Sequence, residues 1–165
     1  LPITIPYSVG HLQAIYNHKP SALVRKYADA PSQNLYEFGE GLSYTEFKYG
    51  QVSLLPAIIS PGESTRVAVA VTNTGTRAGD EVIQLYIRDD YSRVTRPVKE
   101  LKGFKRISLK PGEKRDVYFD FSPDMLGYYG IGMKWQIDAG TFSIMVGGSS
   151  RRSDLQLAKL RLTSN

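Results

Sequence analysis

From Thr45 onward apolar and polar residues alternate with a period of two, in runs cut by turn-forming residues. Successive side chains of a strand point to opposite faces, so this period indicates half-buried β-strands and argues against amphipathic helices. In 66–72, Val67, Val69 and Val71 share one face, and Arg66, Ala68, Ala70 and Thr72 share the other, before a turn at Asn73 to Gly75. Further on, Ile83, Leu85 and Ile87 stand opposite Val82, Gln84, Tyr86 and Arg88. Val117, Phe119 and Phe121, and then Phe142, Ile144 and Val146, face inward on the same rule. Short strands at intervals of roughly ten residues predict an all-β chain, an antiparallel sandwich of about seven strands. They are expected over 45–55, 64–73, 81–89, 98–108, 114–121, 140–147 and 155–163. Pro61-Gly62 and Pro111-Gly112, each followed by Glu and an alternating run, read as type II turns at equivalent corners of the sandwich.

The first 40 residues follow another pattern. Strand-like pieces at Ile3 to Ile5 and around Ala14 to Tyr16 are joined to the sandwich by the polar stretch 17–34, which Pro20 and Pro31 interrupt. Such a segment cannot build its own core. It predicts an extended, loosely held N-terminal arm, with Arg25 and Lys26 as the first tryptic sites. The chain has no cysteine and therefore no disulfide framework or thiolate metal site. No apolar run approaches the ~18–20 residues of a membrane-spanning helix. Opening at Leu1-Pro2 without a Met, the sequence reads as a piece of a longer polypeptide.

Charge is concentrated in one place. Of 21 Lys and Arg against 16 Asp and Glu, Arg93 to Lys110 holds seven cations against Glu100, which more than accounts for the net +5. Pro97 and Gly103 oppose a helix there. The run is expected to be an edge strand with a bulge at Gly103 that lets both Leu101 and Phe104 face the core while the lysines point to solvent. Lys, Pro and a bulge also keep an edge strand from pairing with another molecule. Without a recognition helix or stacking aromatics the run does not read as a nucleic-acid grip.

Few residues invite chemistry. His11 and His18 have no metal-ligating partners at suitable spacing. Ser149-Ser150 after Gly147-Gly148 reads as a strand-end turn, and Gly39-Glu40-Gly41 lacks the strand and helix of a phosphate cradle. Glu37 and Glu40 read as solvated or interface charges, since loop carboxylates are usually exposed. Tyr128, Tyr129 and Trp135 in "GYYGIGMKW" form the one candidate sugar platform, although the lone Trp of a sandwich is more often core or interface filler.

Four stretches in order, "LYEFGEGLSYTEF" (35–47), "VTNTGTRAGDEVIQLYIRD" (71–89), "RPVKELKGFKRISLKPGE" (96–113) and "GTFSIMVGGSS" (140–150), resemble the C-terminal end of family 3 glycoside hydrolases of the β-glucosidase and β-xylosidase kind. The resemblance implies a fibronectin type III-like (immunoglobulin-like) sandwich over 41–165, with 1–40 the tail of a preceding α/β sandwich domain and a linker. It implies that the nucleophilic Asp and the acid/base Glu lie in domains outside this chain, so that no catalytic residue, cofactor or metal is expected here. Phe38, Gly39, Gly41, Leu42, Ser43 and Tyr44 are then expected to pack between domains. The partners implied are the catalytic domains of the same polypeptide, a homodimer contact and, for the longer enzyme, an oligo- or polysaccharide, with neither nucleic acid nor membrane. A periplasmic or secreted location is favoured. The alternative is an autonomous carbohydrate-binding module using Tyr128, Tyr129 and Trp135.

Overall fold

The computed structural model describes residues 1–11, 14–20, 31 and 33–164. Its strands are β1 (Phe47–Tyr49), β2 (Ser53–Leu55), β3 (Ile58–Ile59), β4 (Thr65–Asn73), β5 (Gly79–Asp89), β6 (Glu100–Leu109), β7 (Lys114–Phe121), β8 (Tyr128–Tyr129), β9 (Trp135–Gln136), β10 (Gly140–Gly147) and β11 (Gln156–Leu162). In one sheet β1 and β2 pair with successive parts of β4, and β7 pairs with β4 along its length. The other sheet runs β3-β11-β10-β5-β6, antiparallel except for the short β3–β11 contact. The chain changes sheets into and out of β3, between β4 and β5, between β6 and β7, and between β7 and β10. That is the Greek-key path of an immunoglobulin-like sandwich. Gly62 and Gly112 both have positive φ, at 85° and 73°, as the two turns require, and the strands they introduce, β4 and β7, are hydrogen-bonded neighbours.

Alternation explains the core. Val67, Val69, Val71, Val117, Phe119 and Phe121 meet Ile83, Leu85, Ile87, Phe142, Ile144, Val146 and Leu160 between the sheets. Each fully buried side chain of this size contributes roughly 1.5–3 kcal/mol relative to exposure. Polar Thr65 and Asn73 stand at the two ends of the inward face of β4. The Asn73 side chain is fully buried, and its Oδ1 accepts from the Thr45 hydroxyl at 2.6 Å and from the Gly75 amide at 3.1 Å. Its Nδ2 donates to the carbonyls of Arg77 at 2.7 Å and Leu109 at 3.1 Å, the latter on the opposite sheet.

The basic run forms β6, at the edge of the five-stranded sheet. The bulge is present, since Leu85 pairs with Gly103 but Tyr86 with Leu101. Its effect differs from expectation. Leu101 and Phe104 pair with Tyr86 and Gln84, so both lie on the outer face, and Phe104 is 67% exposed. Gly103 takes the core position and leaves room for the Phe119 ring. Nor do all the cations reach solvent. Lys105 and Lys110 are exposed, but Lys99 and Lys102 are half-buried, and Arg96 lies against Asp89 at 3.4 Å and Glu100 at 2.7 Å with 8% of its side chain exposed.

The arm also departs from expectation. Ile5 bridges Tyr36, and residues 14–18 and 33–40 are seated on the sandwich through the contacts given below, whereas Arg25 and Lys26 lie outside the described residues. Asn73 yields a direct check of the sandwich. Asn73→Ala strips partners from several buried polar groups, each costing roughly 1–3 kcal/mol. Chemical denaturation should show a loss of about 3 kcal/mol, and a loss below about 1 kcal/mol would contradict its role as the bond between the sheets.

Candidate functional site

The outer face of β5 should be solvated by its pattern, yet residues 83–87 are buried on both sides. What covers it is the front of the connector 33–44, around Phe38 and Gly39, together with Tyr16 and the turn at Gly148. Glu40 accepts the Glu37 amide at 2.9 Å on its Oε2 and donates its own amide to the Glu37 carbonyl at 3.0 Å, closing a turn. Gly39 completes that turn with φ 82°, and a side chain there would run into the amide of Gln84. Only glycine satisfies both conditions comfortably. Gln84 is 4% exposed. Its Nε2 donates to the carbonyls of Gly148 at 2.5 Å and Gly39 at 3.3 Å, while its Oε1 accepts the Tyr86 hydroxyl at 2.5 Å.

Rings complete the seat. Tyr16 stacks on Phe38 with centroids 4.2 Å apart, and meets Tyr86 edge-on at 5.9 Å. The Ser150 amide donates to the Phe38 carbonyl at 2.8 Å, and Arg151 pairs with Glu40 at 2.6 Å. Lys99 donates to the Ser150 carbonyl; burial lowers its pKa, with opposing contributions from Glu37 and Arg152. Val98 donates its amide to the His18 carbonyl at 2.9 Å, so the arm also covers the start of the edge strand. Glu37 receives the Asn34 amide at 3.1 Å. Both connector carboxylates thus hold local structure.

The six residues expected to pack between domains divide into two groups. Phe38 and Gly39 face the sandwich itself. Leu42 and Tyr44 are 89% and 91% exposed, beside an open groove lined by Gly79, Leu109, Pro111 and Arg115 among others. Ser43 accepts the Thr45 amide at 3.2 Å, and a side chain at Gly41 would meet open space. Tyr128, Tyr129 and Trp135 lie on the β8–β9 hairpin, where Tyr129 and Trp135 form an exposed edge-to-face pair at 5.2 Å. Tyr128 turns inward and donates to Asp138 at 2.5 Å. The three rings therefore do not share one platform. His11 bonds Ser8 at 2.7 Å and the Pro31 carbonyl at 2.8 Å, and among the described residues no group of three or more acidic or histidine side chains could hold a metal.

Residues 81–150 match the fibronectin type III-like domain family. A β-xylosidase of Formosa agariphila is 43% identical over 163 residues, covering 97% of this chain and 22% of that protein. The solved β-glucosidase of Erythrobacter marinus superposes with a TM-score of 0.93 at 42% identity, over 99% of this chain and 21% of that one. A GH3 β-glucosidase of Bifidobacterium adolescentis gives 0.69 at 33% identity, over 77% and 18% respectively. Along nearly its whole length the chain is similar to one stretch of these longer β-glucosidases and β-xylosidases, and its residues 81–150 match a fibronectin type III-like domain. The chain spans about a fifth of the length of the relatives it matches. The matched span runs from β5 to the end of β10, and β1 to β4 and β11, outside it, belong to the same sandwich.

The fibronectin type III-like domain also carries a half-buried acidic cluster. The Tyr49 hydroxyl donates to Glu81 Oε1 at 2.6 Å. Burial, and then the Glu81 charge, raise the Tyr49 pKa far above its ordinary value. Burial likewise raises the Glu81 pKa, which the Asp154 charge raises further and the Tyr49 hydrogen bond lowers. A carboxyl raised in the folded state favours folding at acid pH, and this contribution is lost as pH climbs from the ordinary 4.5 through the folded value. Glu81→Gln should therefore gain on the parent in stability as pH rises from about 4.5 to 7. Asp80 and Glu113 slope oppositely, Asp80 lowered chiefly by Ser108 and Glu113 by the Lys110 backbone, but both are common to the two proteins and cancel. A stability difference that stays constant across this range would contradict the burial argument.

Proposed function

We propose that this domain is a non-catalytic accessory of a β-glucosidase or β-xylosidase, which holds the connector to the catalytic domains in a fixed seat. The longer polypeptide would remove terminal β-linked glucose or xylose by the two-carboxylate retaining route. The observation that carries the reading is Gln84, a buried amide satisfied by the connector's own backbone at Gly39. A connector seated this way is a strut and not a flexible linker, so the direction in which Leu42 and Tyr44 project is set by the sandwich. We accordingly place residues 33–40 with the sandwich, and leave the earlier arm as the tail of the preceding domain. Leu42, Tyr44 and the groove beside them form the contact offered to that domain, since large apolar side chains left in water together mark an interface.

Two measurements test this proposal. The chain alone should not turn over aryl β-glucosides or β-xylosides above a buffer blank. Leu42→Ser with Tyr44→Ser should lower the melting temperature of the longer polypeptide by several degrees, roughly 2–4 °C per kcal/mol for a domain of this size, and leave that of the isolated chain within about 1 °C. Equal losses in both proteins would mean that these side chains serve the sandwich and not an interface.

A further inference from the structure

The connector end accounts for Leu42 and Tyr44 but not for the hairpin, which lies at the opposite end of the sandwich, where β5 finishes and β6 begins. Cross-strand pairing puts Tyr129 and Trp135 on one face and Tyr128 and Gln136 on the other. Tyr129 and Trp135 are exposed by 62% and 53%, and the tip residues Ile131 and Met133 beside them by 87% and 78%. All four are large and uncharged. The inward set is bonded to itself: Tyr128 donates to Asp138 at 2.5 Å and receives the Gln136 amide at 2.7 Å.

Arg96 anchors this inward side. Its guanidinium lies 5.1 Å from the Tyr128 ring centroid and donates to the Leu126 carbonyl at 2.8 Å while bound to Asp89 and Glu100. The indole of Trp135 rests against Gly127, where any side chain would collide with it. The tip is closed by Gly130 donating to Lys134 at 3.0 Å and Met133 donating to Gly130 at 2.9 Å, with Met133 held at φ 55°. A non-glycine residue held in that region is uncommon and carries strain. The hairpin is therefore a tongue braced from behind that presents apolar side chains in front.

We propose that this tongue docks into an apolar recess of the catalytic part of the same polypeptide, as a second contact independent of the connector; the proposal rests on the accessory-domain reading. A sugar site sets polar groups beside its rings, but Tyr128, Gln136 and Asp138 are bonded to one another on the other face, and Lys134 is the one charged side chain at the tip. Tyr, Trp and Met without charge are instead the composition of a protein interface core. The same polypeptide is the favoured partner because relatives are about five times as long as this chain, and a tethered partner acts at an effective concentration of order millimolar. A free second copy would have to match that.

Oxidative footprinting of the chain alone and of the longer polypeptide tests the proposal, with mass spectrometry reading Met133 and Tyr44, and Met125 and Met145 as internal references. Met133 should oxidise readily in the chain alone and about tenfold more slowly in the longer polypeptide, as burial in an interface core requires. Equal Met133 rates with Tyr44 slowed would overturn the tongue and leave the accessory reading standing, whereas neither residue slowed would overturn both. Slowing that depends on protein concentration would assign the tongue to a second copy. Slowing that appears only with added xylan or cello-oligosaccharide would assign it to sugar, and each of these outcomes rejects the proposal.

Discussion

The buried amide of Gln84 is the constraint on which the arrangement outside the core depends. A primary amide removed from water costs several kcal/mol unless its donors and acceptor are met. Here they are met by three different parts of the chain: the connector at Gly39, the β10–β11 turn at Gly148, and Tyr86 on the same strand. Any of the three that leaves strands a buried bond of the amide. The sandwich therefore has a third layer on this side, and the Tyr16–Phe38 stack, the Ser150–Phe38 hydrogen bond and the Arg151–Glu40 pair close over it.

The cations of the edge strand serve the same end. Arg96 is buried, which is costly for a charge unless it is paired and bonded, and it joins the end of β5, the start of β6 and the hairpin through Asp89, Glu100, Leu126 and Tyr128. Lys99 is drawn to the Ser150 carbonyl beside the connector. Arg106 is bound to Asp80 at 3.0 Å on the far part of the strand. Much of the positive charge is thus spent within the molecule, joining an edge strand to the elements that cover its two ends.

The sandwich was legible because burial of one face writes itself as a period of two. β4 and β7 read from Val67 and Val117 onward just as they fold, and the two Pro-Gly turns announce their entries. β5 was legible on its inner face alone. Alternation assigns Gln84 and Tyr86 to solvent, because a pattern within one strand carries no trace of a segment 45 residues away that lies over it. The available signal was chemical: between Val82 and Arg88 the outer face of β5 has no charge. Phe104 was misplaced for a related reason. A bulge shifts the register by one residue, and whether that residue falls before or after Gly103 decides which face every later side chain takes. In the connector, the motif singles out 38–44 as one set, and only geometry separates Phe38 and Gly39, which face the sandwich, from Leu42 and Tyr44, which are exposed.

The central claim is that the connector is part of the folded domain, held by Gln84. Amide hydrogen exchange at Ser150, whose donor is bonded to the Phe38 carbonyl, tests it most directly when compared between the parent and Gln84→Ala. The account predicts strong protection of Ser150 in the parent, and in the variant a loss of that protection of about 10-fold or more while the β4 amides keep theirs. A Ser150 amide that exchanges freely in the parent, or is unchanged in the variant, would contradict it.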